Sequence, residues 1–105
     1  MIHETENDIV FLTLIVGRKQ KDIILEELSA FGGRLINVVY GTGSVKASYI
    51  QGIFGFVPEE HKALLTCLVP SKKVDDIFVM LDEKFDFNKP NTGIAFTIPI
   101  EKLSL

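Results

Sequence analysis

Few side chains in this sequence could carry out covalent or metal chemistry, and they lie far apart. The two histidines and the single cysteine are His3, His61 and Cys67. A zinc site needs several clustered ligands, and a catalytic nucleophile needs a base beside it, and this spacing predicts neither. We therefore expect no metal site, no catalytic residues and no enzymatic activity. His3 is expected near the terminus, His61 in a loop and Cys67 in the core.

Two residues could in principle bind a phosphate group. Arg18 follows the first predicted strand, and Asn37 lies in the second. A small acylphosphatase of ferredoxin-like fold would use an arginine and an asparagine in such places. The surrounding phosphate-loop pattern is absent, so we set this function aside. Arg18, Lys19 and Lys21 form a cluster of basic residues, and we interpret them as a solvated helix start.

Length and composition indicate one domain, residues 1–105, with 47% hydrophobic residues to form its core. A net charge of −3 argues against a nucleic-acid partner, which would favour a basic stripe. No apolar run reaches the roughly 20 residues that cross a bilayer. The first ten residues, MIHETENDIV, carry acidic groups where a signal peptide would be basic. We therefore expect a cytoplasmic protein that is not itself a membrane protein.

The elements that must position any site occur twice in the same order. Apolar strands are predicted at residues 8–16, 34–40, 62–69 and 93–100, and helices at 19–31 and 71–85. Two βαβ halves predict an α+β, ferredoxin-like βαββαβ sandwich. Its antiparallel four-stranded sheet would carry both helices on one face and a long loop between strands 2 and 3.

The helix patterns indicate core packing and specific ends. The second helix has one apolar stripe, with Ser71 as its expected N-cap, and Gly32-Gly33 is expected to end the first helix.

The strands starting at 8 and 62 are apolar on both faces, which is typical of central strands. Two helices cannot cover both faces of such a sheet, so we expect another copy of the protein on the second face.

The segment between the halves, residues 41–58 (GTGSVKASYIQGIFGFVP), is the long connection. Such loops are uncommon in compact domains and are usually functional. Its four glycines permit several backbone conformations, and its aromatic and aliphatic side chains favour a packed environment. We interpret it as a mobile arm that docks on a partner or closes over a ligand. The alternative is a β-hairpin extension that folds back on the body.

Several short motifs, in order and over nearly the whole chain, resemble the P-II nitrogen-regulatory signalling proteins. They are Tyr40-Gly41-Thr42-Gly43, Tyr49-Ile50-Gln51-Gly52, Phe56-Val57-Pro58, Leu68-Val69-Pro70, Asn91-Thr92-Gly93-Ile94-Ala95-Phe96 and Ile98-Pro99-Ile100-Glu101. The resemblance implies a homotrimer with a partner-binding loop between the second and third strands. It also implies a non-enzymatic regulator of a transporter or a metabolic enzyme, which senses a small-molecule effector between subunits.

The resemblance also implies site residues. The ligand cleft would be formed by Gly41, Thr42, Gly43, Ser44 and Lys62 on one side and by Asn91, Thr92 and Gly93 on the other. The arm, residues 45–57, would contact the target through side chains at six of its positions: Lys46, Tyr49, Ile50, Gln51, Ile53 and Phe54. Lys62 matches a lysine that the family uses for 2-oxoglutarate.

The departures from the family concern charge. Ile94 stands where the family's phosphate-binding lysine would be, and no arginine follows Arg34. Ser44 and Val45 replace an arginine and a glutamine that the family uses for its ligands. Losing three or four charge-assisted contacts would remove about 5–10 kcal/mol of binding. The sequence therefore predicts that ATP and ADP bind at best very weakly, and that any ligand is smaller or less charged.

Two other regulators of related fold remain as alternatives. One is the amino-acid-sensing regulatory domain of βαββαβ type, which usually has a short central connection and is attached to an enzyme. The other is a metal-tolerance trimer, which would want clustered Cys, His or carboxylate ligands.

Overall fold

The structure is a computed structural model that describes residues 2–4, 8–41, 61–89 and 92–104. Its strands are β1 (Ile2–Glu4), β2 (Ile9–Gly17), β3 (Arg34–Gly41), β4 (Lys62–Pro70), β5 (Gly93–Pro99) and β6 (Lys102–Ser104). Its helices are α1 (Lys21–Ala30) and α2 (Val74–Phe85), each preceded by a single 3-10 turn, Arg18–Gln20 and Ser71–Lys73. The two halves therefore repeat the same strand, turn, helix and strand, as the sequence predicts.

Four strands form one antiparallel sheet in the order β3-β4-β2-β5. The two strands with unbroken apolar runs, β2 and β4, lie in its centre, while β5, which ends at Pro99, lies at an edge. Proline cannot donate a ladder hydrogen bond, so an edge suits it. The predicted ferredoxin-like fold is confirmed, with strand limits that differ from expectation by one residue at either end.

The core lies on one face of this sheet. In β4, burial alternates along the strand, and the buried side chains begin with Ala63 and Leu65. They form one cluster with buried residues of β2 and of both helices, including Leu14, Ile24 and Ile77. Both helices therefore pack on the same face, which is the arrangement that the twofold βαβ pattern predicts.

The opposite side of the sheet, here called the outer face, is largely apolar. The pairing register places the side chains in the middle of this face in three cross-strand rows, between the end rows Ile9–Pro70 and Gly17–Lys62–Gly41. Two rows are apolar, and the row between them is mixed. The apolar rows are Ile98, Phe11 and Leu68, and Ile94, Ile15, Leu64 and Val39. Arg34 of β3 pairs with Leu68 and ends the first of these rows with a charged side chain. The middle row is Phe96, Thr13, Thr66 and Asn37. Phe96 keeps 41% and Val39 55% of its surface exposed.

The helix ends differ from each other and in part from expectation. Gly32 has φ +91, and the N–H groups of Gly32 and Gly33 donate to the carbonyls of Ser29 and Leu28. This Schellman arrangement confirms the glycine pair as the end of α1. Ser71 is not an N-cap, because it begins the 3-10 turn and α2 starts three residues later. The Ser71 N–H donates to the Asp8 carbonyl at 2.9 Å, which ties this turn to the chain before β2.

Two local features are absent from the sequence prediction. Strands β1 and β6 pair antiparallel as a separate two-stranded ribbon. In β3, the register shifts between Arg34 and Asn37, so that one extra residue bulges from the edge strand. Leu35 lies in this bulge with φ +52 and 68% of its surface exposed.

Candidate ligand site at the base of the long connection

The strand register brings several predicted site residues to one end of the sheet. Lys62, the first residue of β4, pairs with Gly41 of β3 on one side and with Gly17 of β2 on the other. Gly93 begins β5 and pairs with Val16 of β2. Gly41, Lys62 and Gly93 therefore lie along the same end of the sheet, although 52 positions separate the first and last of them in sequence.

The remaining predicted positions fall outside the described residues. They are Thr42, Gly43, Ser44 and Asn91 of the cleft, and Lys46, Tyr49, Ile50, Gln51, Ile53 and Phe54 of the arm. Gly41 and Lys62 flank this segment and are direct partners across β3 and β4. The long connection therefore leaves the sheet and returns to it at neighbouring points.

A cavity of about 780 Å³ opens at this end of the sheet. Its described lining comes from the turn at 17–20, with Arg18 and Lys19, and from His61, Lys62 and Thr92. Lys62 and Thr92 were predicted as ligand residues, whereas Arg18 and Lys19 were interpreted as a solvated helix start. The structure places this basic turn against the point where the long connection returns.

Arg18 contacts residues that flank the long connection on both sides. Its N–H donates to the His61 carbonyl at 3.4 Å, and its Nε donates to the Lys62 carbonyl at 3.3 Å. Its guanidinium carbon lies 4.9 Å from the centre of the Tyr40 ring, within the range of a cation–π contact. Gly17 is extended (φ −66, ψ 141) and leads β2 directly into the turn that carries Arg18.

Lys21 lies on the same tyrosine. Its Nζ donates to the Tyr40 hydroxyl at 2.5 Å and lies 5.1 Å from the ring centre. It also lies 3.0 Å from a carboxylate oxygen of Asp22. The hydrogen bond to Tyr40, followed by the one to Asp22, raises the pKa of Lys21 above its ordinary value of 10.5. Tyr40 is therefore shared by two cations just before Gly41, where the long connection begins.

Four basic side chains thus gather where β2, β3 and β4 meet, in a chain whose net charge is −3. Arg18, Lys19 and Lys62 border the cavity, and Lys21 lies behind them on Tyr40. Such a site can bind an anion through charge-assisted hydrogen bonds. Within the described ranges, no group of three or more His, Cys, Asp or Glu side chains is placed to hold a metal ion.

Sequence reasoning missed Arg18, Lys19 and Lys21 as site residues, because their proximity to residues 40 and 62 depends on strand register. The available signal was the concentration of basic residues directly after a strand that ends in glycine.

Gly93 also has a role in packing. A Cβ on it would lie 2.6 Å from Cζ of Phe87, so the ring occupies the space that a side chain would need.

Comparison with known proteins gives a fold but no family by sequence. No family model matches the chain, and no curated protein matches it. Among solved structures, CPII from Thiomonas intermedia K12, bound to ADP, AMP and acetate, is similar with a TM-score of 0.71 and 16% identity. That match covers 100% of this chain and 93% of CPII.

Two further structures are similar. A PII-like signalling protein from Thermus thermophilus gives a TM-score of 0.65 at 15% identity, covering 90% of this chain and 87% of that one. CutA from Synechococcus elongatus PCC7942, complexed with Bis-Tris, gives 0.71 at 9% identity, covering 100% and 90%. At these identities the likeness concerns the fold, and it confirms the architecture that the sequence motifs predict. This chain has the fold of the PII-like proteins.

Proposed function

We propose that this protein is a divergent PII-like regulator without enzymatic activity, which senses a small metabolite and contacts a protein target through its long connection. The observation that carries this proposal is the pairing of Gly41 with Lys62. Lys62 lines a basic cavity at the returning end of the connection, and the pairing sets Gly41, at the other end, beside it. A ligand bound there would lie against the segment that is proposed to contact the target.

The proposed assembly is a homotrimer formed through the outer face. Two apolar rows and Phe96 lie on a side of the sheet against which neither helix packs. Apolar surface of this kind favours association, since its burial contributes about 25 cal/mol per Å². Further copies of the chain are the occupants that the PII-like resemblance implies. The cleft would then combine Gly41–Ser44 and Lys62 of one subunit with Asn91–Gly93 of the next.

The proposed ligand is not ATP or ADP. CPII is bound to ADP and AMP, but here Ile94 replaces the phosphate-binding lysine and pairs with Ile15 on the outer face. Calorimetry with ATP, ADP and magnesium checks this directly, and low-micromolar dissociation constants would contradict it.

The proposed target is a transporter or a metabolic enzyme, and the proposed location is the cytoplasm. No helix in the described part of the chain combines the length and hydropathy of a membrane span.

Sedimentation velocity on matched variants tests the assembly. Phe96→Glu places a charge on the outer face, whereas Val79→Glu places it on α2, where Val79 is 51% exposed in the helix layer. We expect three times the 11.7 kDa chain mass for the natural protein and for Val79→Glu, and a smaller species for Phe96→Glu. A monomeric natural protein, or equal behaviour of the two variants, would contradict the trimer.

Deletion of residues 47–55 tests the role of the connection. Because Gly41 and Lys62 are already neighbours in the sheet, the shortened loop can still close. We expect the deleted protein to keep its mass and its thermal stability while losing contact with the target. If the deletion unfolds the protein, the connection is part of the core and the regulatory proposal fails.

A CutA-like role in metal tolerance is the second candidate, because CutA and CPII give the same TM-score of 0.71. The order of motifs from Asn91 to Glu101 favours the PII-like function. Titration with Cu²⁺ separates the two, since tight and stoichiometric copper binding would support the second candidate.

A further inference from the structure

We propose that a second cavity, between α2 and the edge strand β5, binds a small organic cation, an ammonium group on a short apolar stem. The cavity has a volume of about 280 Å³ and is lined by Phe78, Leu81 and Asp82 of α2, by Phe87 and by residues 93–95 of β5. Its described lining shares no residue with that of the cavity at Lys62. The inference therefore does not depend on the proposed regulatory function.

Small residues on the helix side of β5 leave room for this cavity. Gly93 pairs with Val16, which is fully buried in the core. Ala95 pairs with Leu14, which is buried to the same extent. Directly paired residues lie on the same side of a sheet, so positions 93 and 95 face the helix layer. The Phe87 ring occupies the space above Gly93 and forms one wall of the cavity.

The lining combines two phenylalanine rings with one carboxylate. Phe78 and Asp82 are four residues apart in α2, so they lie on the same face of the helix. The described lining contains no basic residue. An aromatic ring attracts a cation through its quadrupole, and a carboxylate accepts charge-assisted hydrogen bonds from an ammonium group. Together these groups favour a cation that carries an apolar stem.

The C-terminal end of α2 adds to the negative potential of the cavity. The helix ends at Phe85, so Asp82 lies in its last turn. The carbonyl groups of a last turn carry partial negative charge, which stabilises cations and repels carboxylates. Asp82 is thus in an unfavourable position for an acidic side chain, and a bound cation would offset that repulsion.

The basic residues closest to Asp82 in sequence bind other carboxylates. Lys84 Nζ lies 2.6 Å from Oε1 of Glu27 in α1, and Lys89 Nζ lies 3.5 Å from Oδ1 of Asp86. Lys84 also lies about 200° around the helix axis from Asp82. Within the described ranges Asp82 forms no ion pair, so its carboxylate is available to a ligand.

The size and charge of the cavity define the ligand class. A volume of about 280 Å³ admits a small molecule and is too small for a nucleotide. A carboxylate on the ligand beside its ammonium group would be repelled by Asp82 and by the helix end. The proposed ligand is therefore an alkylammonium compound, rather than an anion or an α-amino acid.

NMR titration of the full chain at pH 7, where an alkylamine is protonated, tests the site. The three probes are butylammonium, 1-butanol and butyrate, which share a short apolar stem and differ in charge. The variants are Asp82→Asn and Ala95→Val, and the matched control is Glu83→Gln. Glu83 is the next residue of α2, is exposed and lies outside the described lining, so its substitution removes the same charge nearby.

We expect butylammonium to shift the amide resonances of residues 93–95 with a dissociation constant of the order of 1 mM. Butanol should bind about 10-fold more weakly, and butyrate should cause no shift there. Asp82→Asn should weaken butylammonium about 3- to 10-fold and leave butanol unchanged, because Asp82 is exposed and its charge is partly screened. Glu83→Gln should have little effect, and Ala95→Val should fill the cavity and prevent binding of both probes.

Three results would overturn the proposal. They are equal affinity for butylammonium and butanol, an equal effect of Asp82→Asn and Glu83→Gln, and no shift at residues 93–95 at about 50 mM butylammonium. Thermal melts show whether Ala95→Val remains folded. If it does not, Asp82→Asn still decides the question, because it changes an exposed side chain without altering its size.

Discussion

The ring of Phe87 occupies the space above Gly93 that a side chain would fill. Cζ of Phe87 would lie 2.6 Å from a Cβ built on Gly93, and the two neighbouring ring carbons would lie 2.9 Å away. Phe87 follows the end of α2, and Gly93 begins β5. The contact therefore fastens the end of the last helix to an edge strand of the sheet.

Replacing Gly93 by alanine should lower the free energy of unfolding by about 1–3 kcal/mol, because the aromatic ring must move. Gly17→Ala is the control, since a Cβ at Gly17 meets nothing within 4 Å and φ is −66. Urea unfolding at one fixed protein concentration compares the two variants. Equal stability of Gly93→Ala and the natural protein would show that the Phe87 ring is loosely held.

The two helix ends should respond in opposite directions to substitution. Gly32→Ala places a side chain at φ +91 and should destabilise the protein by about 1 kcal/mol. Asp86 ends α2 at φ +57, so Asp86→Gly should be neutral or stabilising by up to about 1 kcal/mol. Thermal melts of the two variants check the difference. If both substitutions lower Tm equally, backbone conformation is not the deciding factor.

The pKa of Lys21 should fall when its tyrosine partner loses the hydroxyl. Tyr40→Phe keeps the ring and removes the larger cause of the raised pKa, whereas Asp22→Asn removes the second cause. Because the folded protein favours the ammonium, this interaction stabilises the fold below pH 10.5 and is lost as pH rises through the higher folded pKa.

NMR titration of the Lys21 side chain should show a larger fall in Tyr40→Phe than in Asp22→Asn. An unchanged Lys21 pKa in Tyr40→Phe would mean that the 2.5 Å hydrogen bond does not persist in solution.

The thiol of Cys67 should be unreactive while the protein is folded. Burial raises its pKa from 9.0 to about 11, and Cys67 is 1% exposed. At pH 8 the thiolate fraction would be about 100-fold lower than in the unfolded chain. The neutral thiol is favoured in the fold, so its contribution to stability is complete below pH 9 and decreases as pH rises through 11.

Labelling with a chromophoric disulfide reagent at pH 8 should therefore be slow in buffer and fast in urea. Rapid labelling in buffer would show that the strands around Cys67 open readily.

The sequence predicted the four-stranded sheet because its signals are local. The apolar run of β2 and the helical spacing of Ile77 and Leu81 are visible without knowledge of the partners. The β1–β6 ribbon was not predicted, because its strands have three residues each and pair across almost the whole chain. The pairing, rather than the local pattern, defines them.

The candidate site was predicted only in part, because some of its residues are recognisable from local motifs and others come together only on folding. Gly41, Lys62 and Gly93 were named through a motif resemblance, and the register places them at one end of the sheet. Arg18 was interpreted as part of a solvated helix start, since only folding brings it to Tyr40 and to the carbonyl of Lys62. When a cluster of side chains comes from three separate segments, the residue spacing within any one segment does not reveal it.

The bulge around Leu35 has a consequence for how copies of the chain can associate. Regular pairing in β3 resumes only at Asn37, so the free edge offers a short straight stretch to another strand. Edge-to-edge addition, which would allow open-ended growth into fibres, is therefore disfavoured at this edge. The proposed association through the outer face would instead give closed, countable particles.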